Sequence, residues 1–242
     1  MQITRSVYLV SGSSYDRLGN VYAIRGEKSV ALVDCGDTDA AGEIESSLRR
    51  FGMGEMPVAC VFLTHGHTDH AGTAAYFRKK GARIFVHEAD AHLLREGGLT
   101  AERTPYGEGF TFPVCEPDIL LRGGETLEFE GFQIRVWSLP GHTDGSVFYE
   151  MEDLREREGD APGRTILFPG DTFSFDREAE EHVILCWKGS PDYDPEKLRR
   201  TFDFACQKFF PQVILSGHGM PLLTNGNAVI RAAARLFLRT YR

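Results

Sequence analysis

The sequence predicts a layered α/β protein with mixed β-sheets. Three observations predict it. Apolar runs of strand length alternate with helix-period segments through both halves of the chain. Runs joined by tight glycine turns add hairpins to that alternation. No linker or low-complexity stretch divides the chain, so residues 1–242 are expected to form one domain.

The elements follow in order. Residues 3–10 and 21–25 read as strands, and 30–33 is a short apolar run closed by the turn Asp34-Cys35-Gly36. Residues 38–50 carry Ala41, Ile44 and Leu48 at helical spacing, with Asp37 or Thr38 as N-cap and Gly52 as stop. The strand 58–63 runs straight into a polar block at 64–72. A helix over 71–80, a strand over 83–86 and a helix over 88–95 come next. Residues 97–117, rich in Gly, Pro and aromatics, have no period and read as a long functional loop. A hairpin over 126–130 and 132–138 turns at Gly131, and a strand covers 146–151. Residues 152–163 are charged and read as an exposed hairpin tip. Strands over 165–168 and 213–215 and helices over 195–206 and 227–241 complete the chain.

Composition narrows the function classes. Hydrophobic content of 42% and charged content of 26% are those of an ordinary soluble enzyme. A net charge of −8 argues against a nucleic-acid partner. Arg231, Arg235, Arg239 and Arg242 read as the solvated side of the last helix. No apolar run reaches membrane-spanning length, and residues 1–12 show no signal peptide. The five cysteines are scattered and lack CxxC spacing, so they read as small buried hydrophobes. The expected setting is the cytoplasm and the expected partner a small molecule, with a homodimer left open.

The chemistry concentrates at five places where an apolar run ends in a metal-ligand residue beside glycine. They are Asp34, the block His65-Gly66-His67-Thr68-Asp69-His70, His142, Asp171 and His218. Strand ends that converge at one sheet edge are how open α/β sheets build their sites. Three His and one Asp within six residues have no ready structural explanation, and they suit Zn or Fe. If His65 and His67 point one way and Asp69 and His70 the other, the spacing allows two ions. His142, Asp171 and His218 each read equally well as turn residues, but together they complete two ligand shells.

With these residues in this order, from Gly19-Asn20-Val21-Tyr22 to Gly217-His218-Gly219, the chain resembles the metallo-β-lactamase superfamily. The resemblance implies a four-layer αββα sandwich of two mixed sheets flanked by helices, with a dimetal site at its edge. It implies that His65, His67 and His142 hold one ion and Asp69, His70 and His218 the other. Asp171 would bridge them, with Asp34 supporting the ligands from behind. The implied cofactors are two divalent ions, zinc first, with iron or manganese as alternatives. A metal-bridging hydroxide would then attack a carbonyl, and Asp69 would orient it or pass a proton. The reaction expected is cleavage of a small ester, thioester or lactone.

The flanking segments depart from familiar subfamilies. Glyoxalase II-like thioesterases commonly carry a further His where this chain has Gly66, and a Cys/Gly-rich segment with Arg after the bridging Asp, where Thr172 to Arg177 stand here. Lactonases acting on acyl-homoserine lactones usually carry a Tyr where Phe173 and Phe175 stand. The alternatives are a mononuclear iron enzyme similar to persulfide dioxygenases and a non-catalytic metal-binding protein. Tyr106, Phe110, Phe112 and Trp187 are candidates for an apolar pocket wall, and Phe173, His182, Trp187 and Tyr193 for substrate contacts. His87 and His92 read as structural.

Overall fold

The computed structural model describes residues 1–12, 18–104, 108–156, 163–176 and 182–241. Its first sheet holds β1 (Val7–Ser11), β2 (Val21–Arg25), β3 (Val30–Val33), β4 (Val58–Phe62), β5 (Arg83–His87) and β8 (Ile119–Leu121), side by side in that order. The first two pairings are antiparallel and the last three parallel. The second sheet holds β15 (Val213–Ile214), β12 (Arg164–Phe168), β11 (Val147–Asp153), β10 (Phe132–Ser138) and β9 (Thr126–Phe129), again in order. All its pairings are antiparallel except that of β12 with β15. Two short pairs, β6 (Gly98–Leu99) with β7 (Phe110–Thr111) and β13 (Phe173–Phe175) with β14 (Val183–Leu185), lie outside both sheets.

Strand periodicity sends successive side chains into different layers. Val61 and Leu32 face the helices α1 (Ala41–Arg50), α3 (Ala74–Lys79) and α4 (Ala91–Glu96), whose Ile44, Leu48, Phe77 and Leu94 cover them. Their neighbours Phe62 and Val33 face the opposite way, onto Ile134, Val136, Tyr149 and Phe168 of the second sheet. Phe148 and Leu167 face outward again, under Leu198 and Phe202 of α5 (Pro195–Lys208) and Ile230 and Phe237 of α6 (Gly226–Thr240). The layer order is αββα, as the resemblance implied. Both faces of both sheets are buried, which is why the central strands read as continuous apolar runs rather than alternating ones.

Several boundaries differ from expectation for local reasons. The first strand begins at Val7, not residue 3, because Thr4 Oγ1 accepts from the amides of Ser6 and Val7 and turns the chain. Thr4 and Ser6 also donate to Asp153, which is buried at the end of β11 and is no part of an exposed tip. Residues 157–162 of that expected tip lie outside the described residues. The first helix starts at Ala41; its N-cap is Ala40, and Asp37 instead closes the preceding turn by accepting from Thr38 N. The expected helix over 71–80 is two pieces, α2 (Thr68–Ala71) and α3, broken at Thr73, whose hydroxyl donates to Cys35 O. The expected loop 97–117 contains the β6–β7 pair, and Tyr106 in it lies outside the described residues. Asp194 caps α5 through the amides of Glu196 and Lys197, just ahead of Pro195. Arg231, Arg235 and Arg239 are exposed on α6; Arg242 lies outside the described residues. None of the described helices is long and apolar enough to cross a membrane.

Phe237 is 2% exposed and packs on Phe202, with ring centroids 5.3 Å apart. Phe237→Ala is expected to lower stability by about 3–5 kcal/mol through the cavity it leaves. Urea unfolding measures that loss, and metal binding should be retained because Phe237 packs on Phe202 and Tyr241 in the outer helix layer.

Candidate metal centre

Five strand ends deliver the polar residues the sequence singled out. Asp34 follows β3, His65 follows β4, His142 follows β10, Asp171 follows β12 and His218 follows β15. The first block splits by conformation. His67 is extended and sits at the N-terminus of α2, where Ala71 N donates to His67 O, so Asp69 and His70 lie on a helical turn rather than on irregular loop. That change of backbone sends the two halves of the block to two different clusters. His65, His67 and His142 form one; Asp69, His70, Asp171 and His218 form the other, with ligand-type atoms of each cluster within 4.8 Å of one another.

The histidine cluster is made of neutral rings. His142 Nδ1 lies 3.2 Å from Trp187 O, an acceptor only, so it carries the proton and Nε2 is a lone pair. Thr64 Oγ1 donates to Asp34 Oδ2 and therefore accepts from His65 Nδ1, leaving His65 Nε2 bare. His67 Nε2 is 3.2 Å from Ser190 Oγ. The inward atoms are close: His67 Nδ1 lies 3.1 Å from His65 Nε2 and 3.0 Å from His142 Nε2. Burial, and then the neighbouring rings, hold His65 well below the usual histidine range and push His67 down to about 3; burial also lowers His142. Three neutral rings bring His65 Nε2, His67 Nδ1 and His142 Nε2 together, a set that a divalent cation would satisfy.

The second cluster is richer in carboxylate. His70 Nδ1 donates to Asp34 Oδ2 at 2.9 Å, so Nε2 faces Asp171 Oδ1 at 3.2 Å and Asp69 Oδ2 at 3.4 Å. His218 Nε2 lies 3.0 Å from Asp69 Oδ2 and 3.2 Å from Asp171 Oδ2. Asp171 Oδ2 also reaches to 3.7 Å from His142 Nε2, which puts this carboxylate between the clusters. Burial opposes charge here, but the carboxylates outweigh it. Asp171, Asp69 and Asp34 raise His70 well above its usual range, and Asp171 with Asp69 raises His218 to about 10. The same histidines hold Asp69 and Asp171 well below the usual carboxylate range against burial. His70 Nε2 and Asp171 Oδ1, which face each other in this cluster, are buried without a well-formed hydrogen bond, which fits a metal between them.

Asp34 supports both clusters. Its carboxylate accepts from Thr64 N, Thr64 Oγ1 and His70 Nδ1 at 2.7–2.9 Å, fixing the tautomers of His70 and, through Thr64, of His65. Glycine is required at 217, where a Cβ would lie 2.1 Å from Asp171 Oδ1 and 2.7 Å from His70 Cε1. At Gly66 a Cβ would lie 2.8 Å from the Leu93 side chain of α4 and 3.2 Å from Asp90 O, so the further histidine of glyoxalase II-like chains would crowd that helix here.

A cavity of about 600 Å³ opens onto both clusters. Leu99, Phe110, Ile184, Leu185 and Trp187 line its apolar side, and Asp69, Asp171, His67, His142 and His218 its floor. Of the four candidate substrate contacts Trp187 lines this cavity, its ring 5.8 Å from that of His67. The other three do not. Phe173 is wholly buried between Phe148 and Phe202, because β13 turns it inward and gives Ser174 to the cavity. Tyr193 packs on Tyr241 beneath α6 and shares a hydroxyl hydrogen bond with it. His182 pairs with Asp176 at 3.0 Å, away from the cavity lining. Phe112 is core, not wall. His87 Nδ1 accepts from Ala89 N, and His92 Nδ1 bonds Ala89 O, as structural residues do. The residues that sequence reasoning missed are Thr64, Ser190 and Asp90, which lie outside any ligand motif; only Thr64, inside the polar block, left a local trace.

The sequence model of the metallo-beta-lactamase superfamily matches residues 14–154, more than half of the chain. The chain belongs to that superfamily. A relative named hydroxyacylglutathione hydrolase from Anaeromyxobacter dehalogenans is 32% identical over 193 residues, 78% of this chain and 56% of its own length. A human protein named acyl-coenzyme A thioesterase is 25% identical over 174 residues, 63% of this chain and 57% of its own. This superfamily member thus spans little more than half the length of either relative. A solved beta-lactamase from Chitinophaga pinensis superposes with a TM-score of 0.76 at 19% identity, covering 100% of this chain and 91% of its own, which shows the shared metallo-beta-lactamase fold. Members of the superfamily bind divalent metal, and the two clusters fit that expectation.

The clusters differ in what a metal must displace. With its pKa at about 10, His218 is protonated at pH 7 in the metal-free protein. That proton stabilises the metal-free fold fully below the ordinary value of 6.5, and the contribution is lost as pH rises through about 10. Metal entering the Asp69/His70/Asp171/His218 cluster is therefore expected to release about one proton or more near pH 7, and metal entering the histidine cluster almost none. Calorimetry in two buffers of different ionisation enthalpy checks it; equal release at both clusters would contradict the assignment.

Proposed function

We propose that the protein is a dimetal hydrolase of small acyl esters, with thioesters as the first substrate class. The observation that carries this reading is the pair of ligand clusters, with Asp171 between them, on the floor of a cavity that has an apolar wall. His65, His67 and His142 would hold one divalent ion, and Asp69, His70 and His218 the other, with Asp171 shared. Zinc suits this nitrogen-rich set best, and iron or manganese fits it as well. When bound, such ions supply Lewis acidity that lowers the pKa of water and polarises a carbonyl.

The chain's own groups do the rest. Asp69 is ionised and a quarter exposed at the cavity floor, so its carboxylate is placed to take a proton from the attacking water and return it to the leaving group. Asp34, Thr64 and Ser190 hold the ligand rings in the tautomers that face inward. Leu99, Phe110, Leu185 and Trp187 receive the acyl chain and exclude water from it. Support for thioesters over lactones comes from the relatives, whose names describe hydrolysis of acyl groups carried on glutathione and on coenzyme A.

Elemental analysis of protein purified without added metal should give about two equivalents, as two ligand sets, each with a position left for water, would require. A panel of a small ester, a thioester and a lactone should show turnover that chelation removes and zinc restores. Asp171→Ala should abolish turnover and reduce bound metal. Full activity with both metals retained in that variant would sink the shared role of Asp171; one iron with oxygen consumption would favour the mononuclear alternative.

A further inference from the structure

Asp90 sits at the end of the short 3₁₀ turn Glu88–Asp90 and occupies the N-cap position of α4. Aspartate is a preferred N-cap because its carboxylate satisfies the first amides of a helix. Here it does not: no side-chain cap bond is made to α4. The carboxylate is 0% exposed and turned onto two other loops. Oδ2 accepts from Gly66 N at 2.8 Å and from Thr143 Oγ1 at 2.8 Å, and Oδ1 accepts from Gly145 N at 2.6 Å. Gly66 lies between His65 and His67, and Thr143 follows His142 directly. One buried carboxylate therefore joins the loops that carry all three members of the histidine cluster, one loop leaving the first sheet and the other the second.

The surroundings are built for that contact. A Cβ at Gly145 would lie 2.4 Å from Asp90 Oδ1, so glycine is needed for its amide to reach. Thr143 is held in place by Ser146, which accepts from Thr143 N at 3.0 Å and shares a hydroxyl contact at 2.8 Å. Burying a carboxylate is costly unless it is fully hydrogen-bonded, and among the described residues this one is bonded to the two loops that carry the histidine cluster. Asp34 plays a different part: it touches His70 and Thr64 and makes no contact with the His142 loop.

We propose that Asp90 is a positioning residue that sets the geometry of the His65/His67/His142 metal site by clasping its two loops together. The inference rests on the metal-site reading above but not on any substrate. Asp90→Asn keeps the shape and places an NH₂ against either Gly145 N or the Gly66–Thr143 pair of donors, so at least one bond must fail. The expected result is a 10- to 100-fold loss of affinity at the histidine site alone. Cobalt(II) titration against a competing chelator, with the ligand-field spectrum read at each equivalent, separates the two sites. In Asp90→Asn the weakened equivalent should carry the spectrum of the three-nitrogen site; in Asp34→Asn the carboxylate-rich site should weaken as well. Should Asp90→Asn fail to fold, Thr143→Val, which removes one donor, decides by the same titration with a smaller loss at the same site. Wild-type affinity and spectrum at the histidine site in the folded variant, or equal weakening of both sites, would overturn the proposal. A wild-type protein that binds two ions and hydrolyses no ester would sink the proposed function while leaving this inference standing.

Discussion

The site depends on the face-to-face packing of two sheets whose strand ends share one edge. His65 leaves the first sheet, and His142, Asp171 and His218 leave the second. The apolar layer between the sheets sets their separation, and direct hydrogen bonds across it fix the register of the loops. Tyr149 OH donates to Leu63 O at 2.8 Å, Val147 N to Thr64 O at 2.9 Å and Tyr22 OH to Ser216 O at 2.8 Å. Each bond contributes only about 1 kcal/mol net. Their value lies in aim: their acceptors Leu63, Thr64 and Ser216 sit one or two residues from His65 and His218, where a small displacement would separate the clustered side chains.

Within that frame the two clusters solve opposite electrostatic problems. The histidine cluster stays neutral because burial and crowding keep protons off its rings. The other cluster gathers Asp69, Asp171 and the Asp34 carboxylate around His70 and His218, and in the metal-free state it must hold protons to offset them. Uncompensated buried carboxylates would destabilise the fold by several kcal/mol each. A divalent ion in that cluster would replace those protons with a larger positive charge, so metal loading there would depend on pH more strongly than at its neighbour. Asp171, close to His142 and bonded into the second cluster, is the point at which the two problems meet.

The clustering of these His and Asp residues was legible in the sequence because Asp34, the block opening at His65, His142, Asp171 and His218 each follow the strand that positions them. A strand end, a glycine and a histidine or aspartate are all local signals, and α/β topology brings them together without further instruction. The layer order was legible through resemblance, whereas single-sequence periodicity alone led only to mixed layers. What failed was long-range. Phe173 and Ser174 differ by one position on a short strand, and a period of two decides which of them meets the cavity. Nothing nearby reports that Tyr193 will find Tyr241, or that Thr4 will turn the first strand by accepting from Val7 N. Asp90 was invisible for the same reason: in sequence it is an acidic residue at a helix start, and its three donors lie 24 to 55 positions away.

Gly66 joins these lines of argument. Seen in sequence, it is a departure from the glyoxalase II-like pattern, a place where a further histidine is missing. In the structure α4 presses against that position, with Leu93 at 2.8 Å from where a Cβ would stand and Asp90 O at 3.2 Å. The closeness that excludes a side chain is the closeness that lets Asp90 Oδ2 reach Gly66 N. A residue larger than glycine would press on Leu93 and on Asp90 O, beside the carboxylate that holds both loops. The departure is therefore not a gap in the metal-binding block. It is the condition under which the helix beside the block can hold the His65–His67 segment against the His142 loop, and so it belongs to how this chain builds its histidine cluster.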